Sequence, residues 1–500
     1  MSPSYTVYLG TFIQLPRTSP AVQKPHLDVH TGALWVDNGS GKIAGFDWNL
    51  PVEDDEAIAK FIKEKGWVIV PEGATPGQGG GGEDATQITA SIVKSGRNGF
   101  FFPGFIDTHI HAPQYPNRGL FGSTTLLEWL EKYTFPTESS YGTTDDEPPP
   151  EKASSVYKRV ISRTLAHGTT TASYFATIHV PATNLLADLC YQRGQRAFIG
   201  RVCMENPEFC PEYYKDESVE ESISRTKSTI EYIQKIDPKG TLVAPIVTPR
   251  FALSCSSAAL AGLGKLAKSY DPPLRIQTHV SENTNEVKLV KEQFPQCASY
   301  THVYDDHGLL TPRTILAHGI HLTRDERQLI HDRKAKIAHC PTSNSALGSG
   351  ICPVRSHLSE GLTVGLGTDV SGGYSPNILE VARQACLVSR LLTSQASSQT
   401  KYEPLSWEEA LYLATRGGAA VVDMADQIGG FEEGMFWDTQ LIDLGPLIDE
   451  NSDTNVSFDA GNVDIFGWES WEEKIEKWMW CGDDRNVKKV WVNGKLVHQR

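Results

Sequence analysis

The sequence has no run of about 18 apolar residues, which is the length a helix needs to cross a bilayer. Its first residues, Met1–Tyr5, lack the positive charge and apolar stretch of a secretion signal. Basic residues are also too few to attract a phosphate backbone: 46 Lys and Arg stand against 61 Asp and Glu, a formal net charge of −15. We therefore expect a cytoplasmic protein that binds neither membranes nor nucleic acid.

Closely spaced cysteine pairs are absent as well. Nine cysteines lie between Cys190 and Cys481, and no two of them form a Cys-x-x-Cys motif. The odd number and wide spacing argue against a disulfide framework and favour reduced, mostly buried thiols. The missing motif also excludes the class of zinc deaminases whose metal is held by a Pro-Cys-x-x-Cys segment.

What the sequence does contain is an alternation of apolar strands and helix-like segments from about residue 98 to residue 372. Amphipathic segments at Lys152–His167, Ser218–Ile236 and Ser256–Ser269 separate some of the strands. Such alternation predicts parallel strands with crossover helices, and eight units favour a closed (β/α)₈ TIM-type barrel over an open doubly wound sheet. The eight strand candidates are Gly99–Asp107, Thr169–Phe175, Arg196–Cys203, Thr241–Val247, Leu274–His279, Thr314–His318, Lys336–Cys340 and Thr363–Asp369.

The two ends of the chain have a different pattern, of short strands and turns. Strand-like segments occupy Ser4–Leu15, Leu34–Trp48 and Trp67–Val70, and Val487–Val497 carries Asn493-Gly494, a strong hairpin signal. We predict that residues 1–97 and 426–500 combine into a small flanking β-sandwich domain of this α/β protein, beside a barrel of residues 98–425.

Two segments interrupt these patterns. Gly73–Asp84 contains six residues from Gly77 to Gly82 of which five are glycine, and we expect a flexible surface loop there. Thr137–Glu151, which is rich in acidic residues and proline, follows the first barrel strand. It is expected to be a solvated insertion, with a lid over the barrel as the alternative.

A His-x-His motif stands directly after the first apolar strand. Residues i and i+2 of an extended strand point to the same face, so His109 and His111 can offer two imidazole nitrogens to one metal ion. Two surface histidines could also share this spacing by chance, so the motif needs support from other strands.

That support comes from the ends of four further strands. His279, His318, His339 and Asp369 each stand at a strand end, and active sites of such barrels lie at the C-terminal ends of the strands. We predict a metal site formed by His109, His111, His279 and Asp369, with His318 nearby and His339 as a further candidate. Zinc is the expected metal, although iron and manganese accept the same donors. Three other histidines have no strand-end position and are expected to be structural: His167, His179 and His321.

Two carboxyl groups near this site suit proton transfer. Asp369 could serve both as a ligand and as the base that takes a proton from water. Glu282 follows His279 by three residues and could shuttle protons to a substrate. The alternative role for Glu282 is an acid that caps a helix predicted over Asn283–Phe294.

Six segments together resemble the amidohydrolase superfamily of metal-dependent hydrolases, and within it most closely the guanine deaminase family. The resemblance covers most of the chain, and the glycine-rich insertion lies outside every motif. The segments are Pro103–Tyr115 (PGFIDTHIHAPQY), Thr248–Phe251 (TPRF), Gln277–Asn283 (QTHVSEN), Ala317–Gly319 (AHG), His339–Asn344 (HCPTSN) and Gly367–Gly373 (GTDVSGG).

The resemblance implies hydrolysis of guanine to xanthine and ammonia, in purine salvage or guanine catabolism, by a homodimer with one zinc ion per subunit. It implies that Glu282, Asp369 and His318 are catalytic, and that Gln114, Arg250, Phe251 and Glu282 grip the purine. His111, His279 and Asp369 would contact the substrate as well as the metal. Without the resemblance, we would predict a surface ion pair for Arg250 and a core position for Phe251.

Two other functions remain open at this point. The same site could deaminate a different heterocycle, such as a triazine, an adenosine-type nucleoside or cytosine. The chain could also be a non-catalytic scaffold on an amidohydrolase barrel, although such scaffolds usually lose ligands and here every strand-end candidate is present.

Overall fold

A computed structural model describes residues 4–18, 24–71, 88–142, 147–395, 403–448 and 461–500. The predicted loop at Gly73–Asp84 lies outside these residues. The strands of the described residues are β1 (Ser4–Gln14), β2 (Asp28–Asp37), β3 (Lys42–Asp47), β4 (Trp67–Ile69), β5 (Ile88–Lys94), β6 (Gly99–Pro103), β7 (Phe105–His111), β8 (Thr169–Phe175), β9 (Arg196–Gly200), β10 (Val202–Cys203), β11 (Val243–Pro249), β12 (Arg275–Val280), β13 (Thr314–His318), β14 (Lys336–His339), β15 (Thr363–Leu366), β16 (Thr439–Asp443), β17 (Val487–Val492) and β18 (Lys495–Gln499).

Helices fill most of the connections, and many begin at a serine, threonine, asparagine or aspartate that caps the free backbone N–H groups, as Ser218 and Ser256 do. They are α1 (Asp55–Glu64), α2 (Leu126–Trp129), α3 (Phe135–Ser139), α4 (Glu151–Ala166), α5 (Val180–Arg193), α6 (Val219–Ile236), α7 (Ser257–Lys268), α8 (Thr284–Gln293), α9 (Tyr300–Asp306), α10 (Arg324–Arg333), α11 (Pro341–Ala346), α12 (Val354–Ser359), α13 (Ile378–Gln395), α14 (Trp407–Tyr412), α15 (Gly418–Val421) and α16 (Trp471–Cys481). Within the described ranges, no helix is both long enough and apolar enough to span a membrane.

Eight parallel strands form the predicted barrel. Their order is β7-β8-β9-β11-β12-β13-β14-β15, with the short β10 beside β11. Backbone hydrogen bonds join β7 to the segment after β15 and close the ring: Asp369 N–H donates to His109 O at 2.8 Å, and His111 N–H donates to Val370 O at 3.1 Å. The (β/α)₈ fold is therefore confirmed, and its closure brings the His-x-His motif against Asp369.

The terminal segments form a second sheet. Its central strand β1 pairs antiparallel with β2 and parallel with β5 and β6, while β16, β17 and β18 extend it from the C-terminal side. Asn493 and Gly494 both have positive φ, as the hairpin turn between β17 and β18 requires. Both ends of the chain thus share one β-structure, as expected, and the domain boundaries at residues 97 and 425 stay predictions.

One predicted strand is wrong, because Gly99–Asp107 is two strands in two sheets. β6 pairs with β1 and β16 in the terminal sheet, whereas β7 opens the barrel. Gly104 lies between them, and a Cβ at this position would collide with the buried Thr170 side chain. The apolar sequence is continuous through this junction, so hydrophobicity alone carries no sign of it.

Candidate active site

Four buried side chains meet at the C-terminal end of the barrel. His109 and His111 come from β7, His279 from β12, and Asp369 follows β15. Their ligand atoms all lie within 4.8 Å of one another, and they form the sole such His/Cys/Asp/Glu group among the described residues. The Asp369 Oδ1 atom is 3.1 Å from His109 Nε2 and 3.3 Å from His111 Nε2. We call these four residues the metal group.

The hydrogen bonds of His279 show that the metal group suits a cation. Its Nδ1 donates to the carbonyl oxygen of Arg250 at 2.6 Å, so its Nε2 is the unprotonated nitrogen. That Nε2 lies 3.2 Å from His111 Nε2, and the buried His109 Nε2 is near the Asp369 carboxylate but makes no hydrogen bond of good geometry to it. Imidazole nitrogens this close to one another and to a carboxylate form a donor set that suits a divalent ion.

Burial also keeps the three histidines of the metal group in their neutral form. It lowers the pKa of His109, His111 and His279, because a charged imidazolium is costly away from water. Neutral imidazole is the form that binds metal.

Glu282 and His318 lie beside the metal group. Glu282 Oε2 is 3.4 Å from His318 Nε2, and Ser349 donates a hydrogen bond to Glu282 Oε1 at 3.2 Å. The Nδ1 atom of His318 donates to Asn344 Oδ1 at 2.9 Å, which fixes the ring so that Nε2 faces Glu282. Burial raises the pKa of Glu282 to about 7, so its carboxyl group can give and take a proton near neutral pH.

The helix after Glu282 is capped by other residues. Asn283 caps α8, and Glu286 accepts hydrogen bonds from the backbone N–H groups of Glu282 and Asn283. The Glu282 carboxyl group is turned instead toward His318 and Ser349. The capping alternative for this side chain is therefore wrong.

Several residues at this end of the barrel have unusual backbone angles. Ser281, His318 and Asp369 all have φ between 46° and 73°, the left-handed region that side chains other than glycine rarely enter. Such strain is concentrated at sites where the surrounding structure fixes a side chain in a functional orientation.

A pocket opens over the metal group, and all seven residues predicted to contact substrate line it. Apolar residues outside the predicted set complete the wall, and three of them come from α2 and the short helical segment Leu130–Thr134 that follows it. The lining residues are His111, Gln114, Leu126, Trp129, Leu130, Arg250, Phe251, His279, Glu282, Glu286, Leu347 and Asp369.

The other predicted histidines lie outside the metal group. His339 is fully buried at the end of β14, and burial lowers its pKa to about 3. His167 follows α4, His179 precedes α5, and His321 Nε2 bonds to the carbonyl of Ser349 at 2.8 Å. In the described part of the chain, none of these four histidines belongs to the cluster of ligand atoms around His109.

Glu138 on α3 is a further buried residue of the site that no motif in the sequence indicates, and it lies behind the pocket. Its carboxylate accepts hydrogen bonds from Arg250 Nη1 at 2.6 Å and Nη2 at 3.1 Å, from Gln114 Nε2 at 2.8 Å, and from the Tyr214 hydroxyl at 2.7 Å. We call these four residues the Glu138 network. Arg250 is therefore buried and paired with a buried carboxylate, and the alternative of a surface ion pair is wrong.

The charges within the Glu138 network balance. Burial alone would lower the pKa of Arg250, but the charge and hydrogen bonds of Glu138 outweigh it and raise that pKa above its ordinary value. Burial and the nearby Glu138 charge also raise the pKa of Tyr214 well above its ordinary range, so its hydroxyl stays protonated and donates. The start of the segment Thr137–Glu151 is thus part of the protein interior, and its prediction as a solvated insertion is wrong for Glu138 and Tyr141.

Comparisons with known proteins agree on one family. A sequence profile of the Amidohydrolase family matches residues 100–497. The chain is 45% identical to the guanine deaminase of Homo sapiens over 499 residues, 99% of this chain and 97% of that protein. It is 50% identical to the probable guanine deaminase of Schizosaccharomyces pombe over 398 residues, 80% of this chain and 71% of that protein.

A solved structure extends the comparison to three dimensions. The crystal structure of guanine deaminase from C. acetobutylicum, with guanine bound in its active site, superposes with a TM-score of 0.78. The two chains are 31% identical, and the match covers 99% of this chain and all of the other.

Proposed function

The chain belongs to the amidohydrolase family, and from that premise we propose that it is a metal-dependent deaminase that hydrolyses guanine to xanthine and ammonia. The observation that carries the proposal is the pocket itself. It places the metal group on one side and the guanidinium of Arg250 with the amide of Gln114 on another, within one largely apolar cavity. The guanine-bound relative of the same fold supports this choice of substrate.

Zinc is the metal that we propose, one ion per subunit, held by His109, His111, His279 and Asp369. Three neutral imidazoles and one carboxylate suit zinc better than the harder magnesium or calcium ions, which prefer oxygen ligands. When bound, the metal lowers the pKa of a water molecule and so supplies a hydroxide nucleophile at neutral pH.

Guanine is a flat ring with a carbonyl acceptor at O6 and N–H donors along its edge. Arg250 has N–H groups for O6, and Gln114 has an amide oxygen for a ring N–H. Phe251 is 6% exposed and lines the pocket, where its ring can stack on the purine for about 1 kcal/mol beyond the area buried. Leu126, in the same pocket, adds to the apolar surface against which the base packs.

Two residues move the protons of the reaction, and a third holds a reactant in place. Asp369 takes a proton from the attacking water while the water oxygen forms a bond to C2 of guanine. Glu282 delivers a proton to the ring nitrogen beside C2. Asp369 then passes the water proton to the amine, which leaves as ammonia when the C2–N bond breaks, and the new C2 hydroxyl returns a proton to Glu282 as it becomes the carbonyl of xanthine. His318, fixed by Asn344, holds the water or the substrate through Nε2. The balance is guanine plus water to xanthine plus ammonia.

We also propose that the protein is a cytoplasmic homodimer that acts in guanine catabolism. Its free cysteines, eight of which are buried, are in keeping with a reducing compartment. The dimer rests on the family resemblance alone, and the molecular mass of the protein in solution tests it.

The test of the reaction is turnover by the purified protein. Guanine is followed by the ultraviolet change as xanthine forms, in a zinc-loaded sample and in a chelated one. We expect conversion that depends on the metal. A metal-loaded sample that leaves guanine unchanged but deaminates a triazine, an adenosine-type nucleoside or cytosine would overturn the substrate and keep the reaction class.

A further inference from the structure

The hydrogen-bond capacity of Glu138 is fully used. A carboxylate has about four lone-pair positions, and those of Glu138 are taken by two N–H groups of Arg250, one of Gln114 and the hydroxyl of Tyr214. All four side chains are buried, with Glu138 and Tyr214 at 0% exposure. Glu138 itself does not line the pocket, so it can act on a substrate only through its neighbours.

The first neighbour is Arg250, whose guanidinium is fixed in position and orientation. Glu138 binds both of its terminal nitrogens, and the ring of Phe135, which also comes from α3, lies 5.4 Å from its central carbon. The second contact of Nη1 is the sulfur of Met204 at 3.8 Å. The N–H groups that remain, on Nε and Nη2, can donate hydrogen bonds to a ligand, because the side chain lines the pocket.

The second neighbour is Gln114, whose amide has only one acceptable orientation. Because a carboxylate only accepts, the NH₂ group of Gln114 must face Glu138 and the oxygen must face away. That oxygen receives only a long bond of 3.4 Å from the backbone N–H of Ser371. It is therefore available as an acceptor for a better donor.

We infer that Glu138 is a positioning residue that sets the polarity of the pocket, with a donor at Arg250 and an acceptor at Gln114, and thereby selects purines with an oxygen at C6. This inference rests on the proposed function. Guanine has an O6 acceptor next to an N1–H donor, which complements both groups. A purine with an amine at C6 and an unprotonated N1 would place donor against donor and acceptor against acceptor.

A positioning role for Glu138 predicts unequal losses in substrate recognition and in chemistry, which a simple loss of packing would not produce. If Glu138 fixes polarity, its replacement must harm recognition of the O6 and N1–H edge more than it harms the chemistry at C2. 2-Aminopurine is the matching probe, because it keeps the reacting amine at C2 but has no oxygen at C6 and no proton on N1.

The experiment compares wild type, Glu138→Gln, Glu138→Asp and the control Glu131→Gln in the zinc-loaded enzyme. Glu131 is exposed and lies one helical segment before Glu138. In Glu138→Gln we expect kcat/KM for guanine to fall by about 100-fold or more, since polar sites reject mismatched partners strongly. We expect kcat/KM for 2-aminopurine to change by less than about fivefold, so the preference for guanine collapses.

A second measurement does not depend on turnover. The product xanthine keeps the same O6 and N1–H edge, so its inhibition constant should rise about as much as kcat/KM for guanine falls. Glu138→Asp keeps the charge but withdraws it from Arg250, and it should give an intermediate preference in a protein that still folds. Glu131→Gln should match wild type throughout.

Each result decides a different question. If Glu138→Gln and Glu138→Asp keep the wild-type preference for guanine over 2-aminopurine, the inference is overturned and the proposed function stays intact. Equal losses of kcat/KM on both substrates in Glu138→Asp would have the same meaning. A zinc-loaded wild type that does not convert guanine would overturn the proposed function, and this inference with it.

Discussion

The two sides of the pocket differ in how complete they are without a ligand. In the metal group, three imidazole rings crowd around the Asp369 carboxylate, and this is an arrangement that a bound cation would complete. In the Glu138 network, the charge of Arg250 is already balanced by a buried carboxylate with four hydrogen bonds. One side therefore depends on an added ion, whereas the other is organised before the substrate arrives.

In the proposed reaction, this difference gives the two sides separate tasks, chemistry at the metal group and orientation of the base at the Glu138 network. The metal group, with Glu282 beside it, supplies the nucleophile and the protons, so its changes should appear mainly in kcat. The Glu138 network orients a neutral base through fixed donors and acceptors, so its changes should appear in substrate preference and KM. Mutations on each side test whether the division holds.

The largest effect is expected from removing the metal. Chelation, or the variant Asp369→Asn, should abolish turnover, because the nucleophile and its base are lost together. The measurement is guanine conversion alongside zinc content by atomic absorption, with zinc added back to the chelated sample. Full activity in protein shown to be free of metal would contradict the dependence of this side on an ion.

A smaller but still large effect is expected for Glu282→Gln. The amide keeps the shape of the side chain but cannot deliver a proton, so kcat should fall by about 10²–10⁴-fold, the usual contribution of a general acid. Zinc content should stay at the wild-type level, because Glu282 lies outside the metal group. Near-normal kcat in this variant would show that the proton follows another route.

The two sides also differ in how far the sequence predicts them. Three residues of the metal group lie on strands and Asp369 follows one shortly after its end. Because the period of a strand determines where His109 and His111 point, a local pattern is enough to predict them. Glu138 lies on a five-residue helix without useful periodicity, and its partner Arg250 is 112 residues away. Only the folded chain brings them together.

The change from one sheet to the other at Gly104 cannot be predicted from the sequence, for a related reason. The chain is apolar from Phe100 through Ile106, and β6 and β7 are both fully buried, so hydrophobicity does not mark where one strand ends and the next begins. What separates them is their pairing with distant strands, β16 for one and β8 for the other. Tertiary pairing of this kind has no local signature.

The smallest effect is expected from Tyr214→Phe, a change within the Glu138 network. Tyr214→Phe removes one of four hydrogen bonds to Glu138 but leaves Arg250 and Gln114 in place. A hydrogen bond of this kind contributes roughly 1 kcal/mol, so KM for guanine should rise about fivefold with kcat nearly unchanged. Steady-state kinetics on guanine and 2-aminopurine measure this split. A fall in kcat with KM unchanged would mean that Glu138 acts on the chemical step, and the two sides of the pocket would then not be separate in function.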